Sequence, residues 1–178
     1  MMTIGHSTLE IGTFLRALQE NGVEVLVDVR RFPGSRRHPQ FSQATLFASL
    51  DAVGICGVWR DGLGGRRAAK KDSVNTAWKN ESFRGYADYM QTQAFQRELD
   101  WLAALPEFEY VVVMCAAAVP WRCHRSLIAD AILARGLSVE DIFVKADGES
   151  ERKPHAMTGF AQVGDGRVIY PKEPVLFG

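Results

Sequence analysis

The stretch Val111-Val-Val-Met-Cys-Ala-Ala-Ala-Val-Pro-Trp-Arg-Cys-His-Arg125 runs an apolar, β-branched segment directly into two cysteines, a histidine and two arginines. Its first five residues have the unbroken apolar character of a strand covered on both faces, as in a parallel sheet flanked by helices. The run stops at Cys115 and restarts as a helix near Arg122, closed by Gly136. Soft and titratable groups therefore fall at a strand's carboxyl end and a helix's amino end, the two places where parallel sheets bind ligands.

Outward from this stretch the periodicity alternates. Met2 to Gly5 is a short strand, and Leu9 to Gln19 carries Ile11, Phe14, Leu15 and Leu18 at helical spacing before Asn21-Gly22 ends it. Val23 to Val29 is a second strand. Ser42 opens a helix with Leu46, Phe47, Leu50 and Val53 on one side, closed by Gly54, and Ile55 to Trp59 is a third strand. Arg60 to Phe83 is a long loop, and its part from Arg66 to Phe83, with Trp78 and Phe83 among polar residues, is a candidate lid. Arg84 to Met90 and Ala94 to Leu105 are helical, Glu109 to Cys115 is the fourth strand, Arg122 to Arg135 a helix and Ser138 to Val144 a fifth strand. After Asp147, Phe160 to Val163 and Val168 to Tyr170 flank Gly164-Asp165-Gly166 as a hairpin. The alternation predicts an α/β fold: a mostly parallel sheet with helices on both faces, a Rossmann-like three-layer arrangement, and a small C-terminal hairpin. With 178 residues and no Ser/Gly/Pro-rich linker, the expectation is a single α/β domain over residues 1–178.

No basic segment followed by an apolar run opens the chain, and the longest apolar run, Tyr110 to Trp121, is too short for a bilayer and contains Pro120. A cytoplasmic protein without membrane contact is expected. Three cysteines, Cys56, Cys115 and Cys123, do not make a disulfide framework. The net charge is zero, yet Arg30 to Lys71 holds nine Lys/Arg against only Asp51 and Asp61, so a neutral total conceals a basic band.

In a parallel sheet the residues that follow successive strands gather at one edge. Here those residues are His6 and Ser7, then Asp28 with Arg30, Ser35, Arg36 and Arg37, then Gly64-Gly65-Arg66-Arg67, then Cys115. Cys115 is a candidate nucleophile, because a thiolate near arginines is stabilised; a small core residue is the alternative. Cys123 and His124 stand at the expected helix start, although Cys123, Leu127 and Ala131 also form a packing stripe at i, i+4 spacing. His6 can do acid–base work or enter the following helix turn; Asp28 can be catalytic or fix the Arg30–Arg37 loop by a salt bridge. Gly64, Gly65 and Arg66 suit anion capture, since glycines admit backbone N–H groups and guanidinium forks bind phosphate bidentately. Arg30, Ser35, Arg36, Arg122 and Arg125 complete the anion-binding candidates. Zinc on Cys115, Cys123 and His124, with His6 as a further donor, is chemically feasible, but the paired short spacings of structural zinc sites are missing, so no metal and no cofactor is assigned.

Thr3-Ile-Gly-His-Ser-Thr8, Val27-Asp-Val-Arg30 with Pro33 and Ser35-Arg36, Leu63-Gly-Gly-Arg66, Gly85-Tyr-Ala-Asp-Tyr-Met90 and Cys123-His-Arg125 together resemble the microbial family catalogued as domain of unknown function 488. The resemblance covers about residues 2–145, leaving 146–178 as a C-terminal extension. It implies a fold and a site without a settled activity. Members of that family usually carry Cys-Ala-Glu where this chain has Cys115-Ala116-Ala117, so a carboxylate expected at position 117 is missing; if it is an acid or base in relatives, this chain is impaired.

Two function classes follow. One is an enzyme, a cysteine- or histidine-dependent hydrolase or transferase, acting on a phosphate-bearing or other anionic small molecule such as a nucleotide. The other is a nucleic-acid-binding protein that uses the basic Arg30–Lys71 band with Trp59, Trp78 and Trp121 as stacking platforms. A zinc-dependent enzyme is a third reading.

Overall fold

The computed structural model describes residues 1–34, 37–105 and 110–174. Its elements, in chain order, are β1 (Met2–Gly5), α1 (Ile11–Glu20), β2 (Val25–Asp28), α2 (Gln43–Asp51), β3 (Cys56–Trp59), α3 (Glu81–Met90), α4 (Gln93–Ala104), β4 (Val111–Cys115), α5 (Arg125–Ala134), β5 (Glu140–Val144), β6 (Ser150–Pro154), β7 (Gln162–Gly164) and β8 (Arg167–Ile169). Six strands form one sheet in the order β3-β2-β4-β1-β5-β6, parallel except for β6, while β7 and β8 pair as a separate antiparallel hairpin. The α/β class, the mostly parallel sheet and the hairpin are as the periodicity predicts.

Strand alternation sorts the side chains into two layers. Met2 and Ile4 of β1, Leu26 of β2, and Val112 and Met114 of β4 pack with Phe14 and Leu18 of α1 and Leu46 and Leu50 of α2. On the opposite face Val27, Val111, Val113 and Cys115 pack with Tyr86 of α3, Phe95 and Leu99 of α4, and Leu127 and Ile128 of α5. The chain leaves β1 by α1 on one face and leaves β4 by α5 on the other. Since β1 and β4 are neighbours with Gly5 opposite Cys115, their carboxyl ends bound a crevice at the point where the connections diverge.

Three departures from the predicted elements have local causes. Pro120 opens a 3-10 turn over Pro120–Arg122, and Cys123 is extended (φ −141, ψ 143), so α5 starts at Arg125 rather than Arg122. Helix α3 begins at Glu81, three residues ahead of expectation, because the Asn80 side chain accepts hydrogen bonds from the Ser82 and Phe83 N–H groups. Strand β6, with the sequence Ser-Glu-Arg-Lys-Pro, has no apolar alternation to announce it; as an edge strand, mostly exposed, it carries charges that discourage further pairing. The predicted start of the fourth strand, Glu109, lies outside the described residues.

The 60–83 loop is pinned rather than free to close as a lid. Asp88 accepts hydrogen bonds from Lys70 N–H, Ser73 Oγ and Asn75 Nδ2, and Trp78 stacks on Phe83 with ring centroids 4.7 Å apart. No described helix is long and apolar enough to cross a membrane.

Residues Arg125 to Ile132 of α5 are all buried, so its polar members need internal partners. Asp130 accepts from Tyr170 Oη (2.8 Å) and His155 Nε2 (3.2 Å), and the other nitrogen of His155 donates to Asp141 (2.7 Å). Burial alone would lower the His155 pKa, but hydrogen bonds to Asp130 and Asp141 and their charges outweigh it and raise the value to about 9. A folded value above the unfolded one means the stabilisation is complete below about pH 6.5 and disappears as pH rises through the folded pKa. Urea unfolding between pH 6 and 9.5 should show a loss on the order of 1–3 kcal/mol that His155→Gln lacks; equal pH slopes for the two proteins would refute the assignment.

Candidate functional site

Cys115 is the last residue of β4, and alternation points it toward α3–α5. The chain then turns across the end of β1, with His6 N–H donating to Cys115 O (3.0 Å) and Ser7 N–H to Ala116 O (2.9 Å). This passage requires glycine below it: a Cβ on Gly5 would lie 1.7 Å from Ala117 O. Arg125, fully buried, locks the turn by donating to Ala117 O and Ala118 O. It is a positioning group behind the cleft, with no surface left for a ligand.

The same turn carries Cys123 and His124 back over Cys115. His124 Nε2 lies 3.2 Å from Val29 O, and a carbonyl only accepts, so Nε2 holds the ring proton and Nδ1 presents a lone pair in the neutral imidazole. That lone pair is 3.9 Å from Cys115 Sγ and 3.8 Å from Cys123 Sγ. The Tyr86 ring, whose hydroxyl donates to Leu63 O (2.7 Å), backs the imidazole at 4.9 Å between centroids. A Cβ on Gly65 would come within 2.9 Å of Nδ1, so position 65 must lack a side chain for His124 to sit there.

The two thiols are unequal. The Cys123 S–H bond lowers the Cys115 pKa, burial opposes this, and the Ala116 N–H and the Arg125 charge reinforce the lowering. Cys123, whose thiol is the donor and is itself buried, is pushed up to about 12. Within the pair the proton is therefore held more tightly by Cys123, and Cys115 is the more acidic thiol.

Cys115 opens onto a cleft of two adjoining lobes, about 230 and 270 Å³, that share Gly65, Arg66, Cys115, Ala116 and His124. One lobe extends to Arg30, Arg31 and Phe32, the other to Phe83, Tyr86, Ala117, Arg122 and Cys123. Arg31, Arg66 and Arg122 are exposed, and among the described residues none has a carboxylate within ion-pair distance. Arg66 is held at φ +59, unusual for a non-glycine, while Arg31 donates to its carbonyl (2.8 Å). Both guanidinium groups flank the exposed Phe32 ring, at 5.7 and 5.5 Å. A larger cavity of about 410 Å³ beside the 120–122 turn, bordered by Trp78, Trp121 and Phe143, contains neither thiol.

Several sequence-derived candidates lie elsewhere or, like Arg30 at the border of one lobe, are already engaged. Asp28 is fully buried on the α1/α2 face, and Arg30 closes on it at 2.6 Å, so that the two charges cancel. Arg30 also donates to Phe41 O (2.8 Å). His6, with 3% exposure, stacks on Phe41 at 4.2 Å, and its Nδ1 is 3.0 Å from Ser7 O. Burial and then the Arg30 charge lower its pKa to about 4, so it is neutral and does not line the cleft. Gly64 N–H is already used on Asp61 O (2.8 Å). Ser35 and Arg36 lie outside the described residues. Conversely, Arg31, Phe32 and Tyr86 line the cleft without having been named as site candidates; the signal for Arg31 was its place in the basic band, and for Tyr86 its place in the Gly85–Met90 motif.

The donor atoms of Cys115, Cys123 and His124 all lie within 4.8 Å of one another. Two sulfurs and an imidazole nitrogen suit zinc, and the Val29 carbonyl orients the imidazole as an outer partner would. His6, on the other face of the sheet, is not part of this group.

A family model described as "Domain of unknown function DUF488" matches residues 10–132 of the chain. No curated protein and no solved structure matches it.

Two measurements check this geometry. Arg30→Ala strands the Asp28 carboxylate and should cost about 3–5 kcal/mol in urea unfolding, whereas Arg66→Ala should stay within about 0.5 kcal/mol. Alkylation of Cys115 should follow a thiolate titration below that of an ordinary thiol and shift to higher pH in Cys123→Ala, which has no donor at this position; an unshifted profile would remove Cys123 as the donor.

Proposed function

The chain belongs to the DUF488 family, and from the arrangement of its cleft we propose that it is an enzyme in which the Cys115 thiolate attacks a phosphate-bearing or other anionic small molecule, a nucleotide being the leading candidate. The observation that carries this reading is the presence, in one cleft, of the Cys115 thiol, an oriented imidazole beside it and three guanidinium groups free of carboxylates among the described residues. Guanidinium groups at Arg31, Arg66 and Arg122 bind the anion and lower the repulsion between thiolate and substrate. The exposed Phe32 ring gives a planar group a surface to stack on. His124 Nδ1 receives or returns a proton beside the reacting sulfur. Ala117 lines the wall without a carboxylate, so in this chain acid–base work falls to His124.

The placement of the tryptophans relative to the cleft favours a small ligand over a nucleic-acid strand. Trp78 is enclosed by Phe83, Phe160 and Tyr170 and is not a free stacking platform, while Trp59 and Trp121, both exposed, do not line the cleft.

Calorimetric titration with inorganic phosphate and a panel of mononucleotides tests the proposal. Arg66→Ala and Arg122→Ala should each weaken binding roughly 10- to 100-fold, the worth of one charged hydrogen bond. Cys115→Ser should retain binding and abolish turnover of the ligand found. Unchanged affinity in both arginine variants, or tighter binding of oligonucleotides than of any mononucleotide, would overturn it.

A further inference from the structure

The two sulfurs of the cleft invite a second kind of chemistry. Cys115 Sγ and Cys123 Sγ are within 4.8 Å of each other, both on the wall of one lobe, with His124 Nδ1 3.9 and 3.8 Å from them. Cys123 belongs to neither helix nor strand: it is an extended residue between the Pro120–Arg122 turn and α5, so side-chain rotation is the shortest route to the roughly 2.0 Å of a disulfide bond. We propose that Cys115 and Cys123 form a redox-active dithiol that a hydroperoxide converts to an intramolecular disulfide, reversibly withdrawing the cleft's nucleophile. This inference rests on the reading of Cys115 as the reactive thiol, and not on the identity of the anionic substrate.

The chemistry balances in two steps. The Cys115 thiolate attacks one peroxide oxygen; the S–O bond forms, the O–O bond breaks, and the departing oxygen takes a proton and leaves as water or alcohol. Cys123 then passes its proton to His124 Nδ1 and attacks the Cys115 sulfur. The S–S bond forms, the S–O bond breaks, and hydroxide recovers the proton from the imidazole as water. The two thiols lose two electrons and the peroxide gains them.

Two features separate this pair from an incidental contact. The residues between the cysteines are held from below by Arg125 through Ala117 O and Ala118 O, which keeps the closing segment in place while the sulfurs move. The remaining cysteine, Cys56, is exposed at the amino end of β3, whereas Cys115 is at the carboxyl end of β4; in a parallel array these are opposite edges. Cys56 therefore cannot compete within the chain and is an internal control for surface oxidation.

The experiment is a hydrogen peroxide titration of the full-length protein, followed by alkylation of free thiols, digestion without reductant and mass spectrometry. The expected product is a Cys115–Cys123 linked peptide lighter by two hydrogens, with Cys56 still alkylated, restored to free thiols by dithiothreitol. Cys123→Ser, and Cys123→Ala in parallel, should instead accumulate a Cys115 sulfenic acid that dimedone traps. The inference is overturned if wild-type Cys115 collects sulfenic or sulfinic acid to the same extent as the variants with no linked peptide, or if Cys56 oxidises while Cys115 remains alkylatable. Because the readout is covalent mass, it stands apart from the ligand titrations: a linked peptide with unchanged anion binding in the arginine variants would retain the dithiol and discard the anionic substrate.

Discussion

The most deeply buried arginine among the described residues, Arg125, sets the conditions for the rest of the molecule. Its guanidinium is fully buried at the start of α5, where desolvation is costly and among the described residues no carboxylate touches it directly. The cost is offset by two carbonyls of the turn after β4 and by a hydroxyl relay: Arg125 Nε donates to Thr3 Oγ1 (3.3 Å), and Thr3 donates to Asp141. Asp141 in turn faces His155, and His155 faces Asp130. With His155 protonated, two positive and two negative charges alternate along this path, so the interior is neutral as a set although its members are not paired one to one. Through Tyr170, Asn75 and Asp88 the network continues to the C-terminal tail and the loop before α3. The tail is thereby part of the support of the cleft.

What Arg125 positions is a small volume with soft chemistry. The turn it holds brings Cys115 and Cys123 together, and the Val29 carbonyl aims the imidazole lone pair at both. Nucleophile, metal donor set and dithiol all call on the same atoms, and these uses are mutually exclusive at any moment. A disulfide would consume both sulfur donors of a zinc site as well as the attacking thiolate.

Strand alternation explains why the polar residues at the sheet's edge do not form one site. His6 and Asp28 share the α1/α2 face with Phe41, and Arg30 reaches back to them, giving a closed, neutral brace behind the edge. Cys115 points the other way, toward α5. A convergence of four post-strand segments is thus divided by the sheet into a structural cluster and a reactive one.

The sequence by itself determined the order of strands and helices, the parallel sheet and the edge where the chemistry would lie, because these depend on local periodicity and on the rule that parallel strands end on one side. It also marked Cys115, Cys123, His124 and Arg66, which are adjacent to strand and helix ends in the chain. It did not separate the free arginines from the neutralised ones: Arg30 and Arg31 are neighbours, yet one is closed on Asp28 and the other is open to the cleft. Only the tertiary structure decided that, since the role of a charge depends on which partners come within a few ångströms of it, and for Arg125 those partners include Thr3, far away in the chain. Pro120 and Asn80 moved helix starts through local turn and cap geometry that apolar periodicity does not register, whereas β6 was recruited as an edge, without any pattern of its own, by pairing with β5.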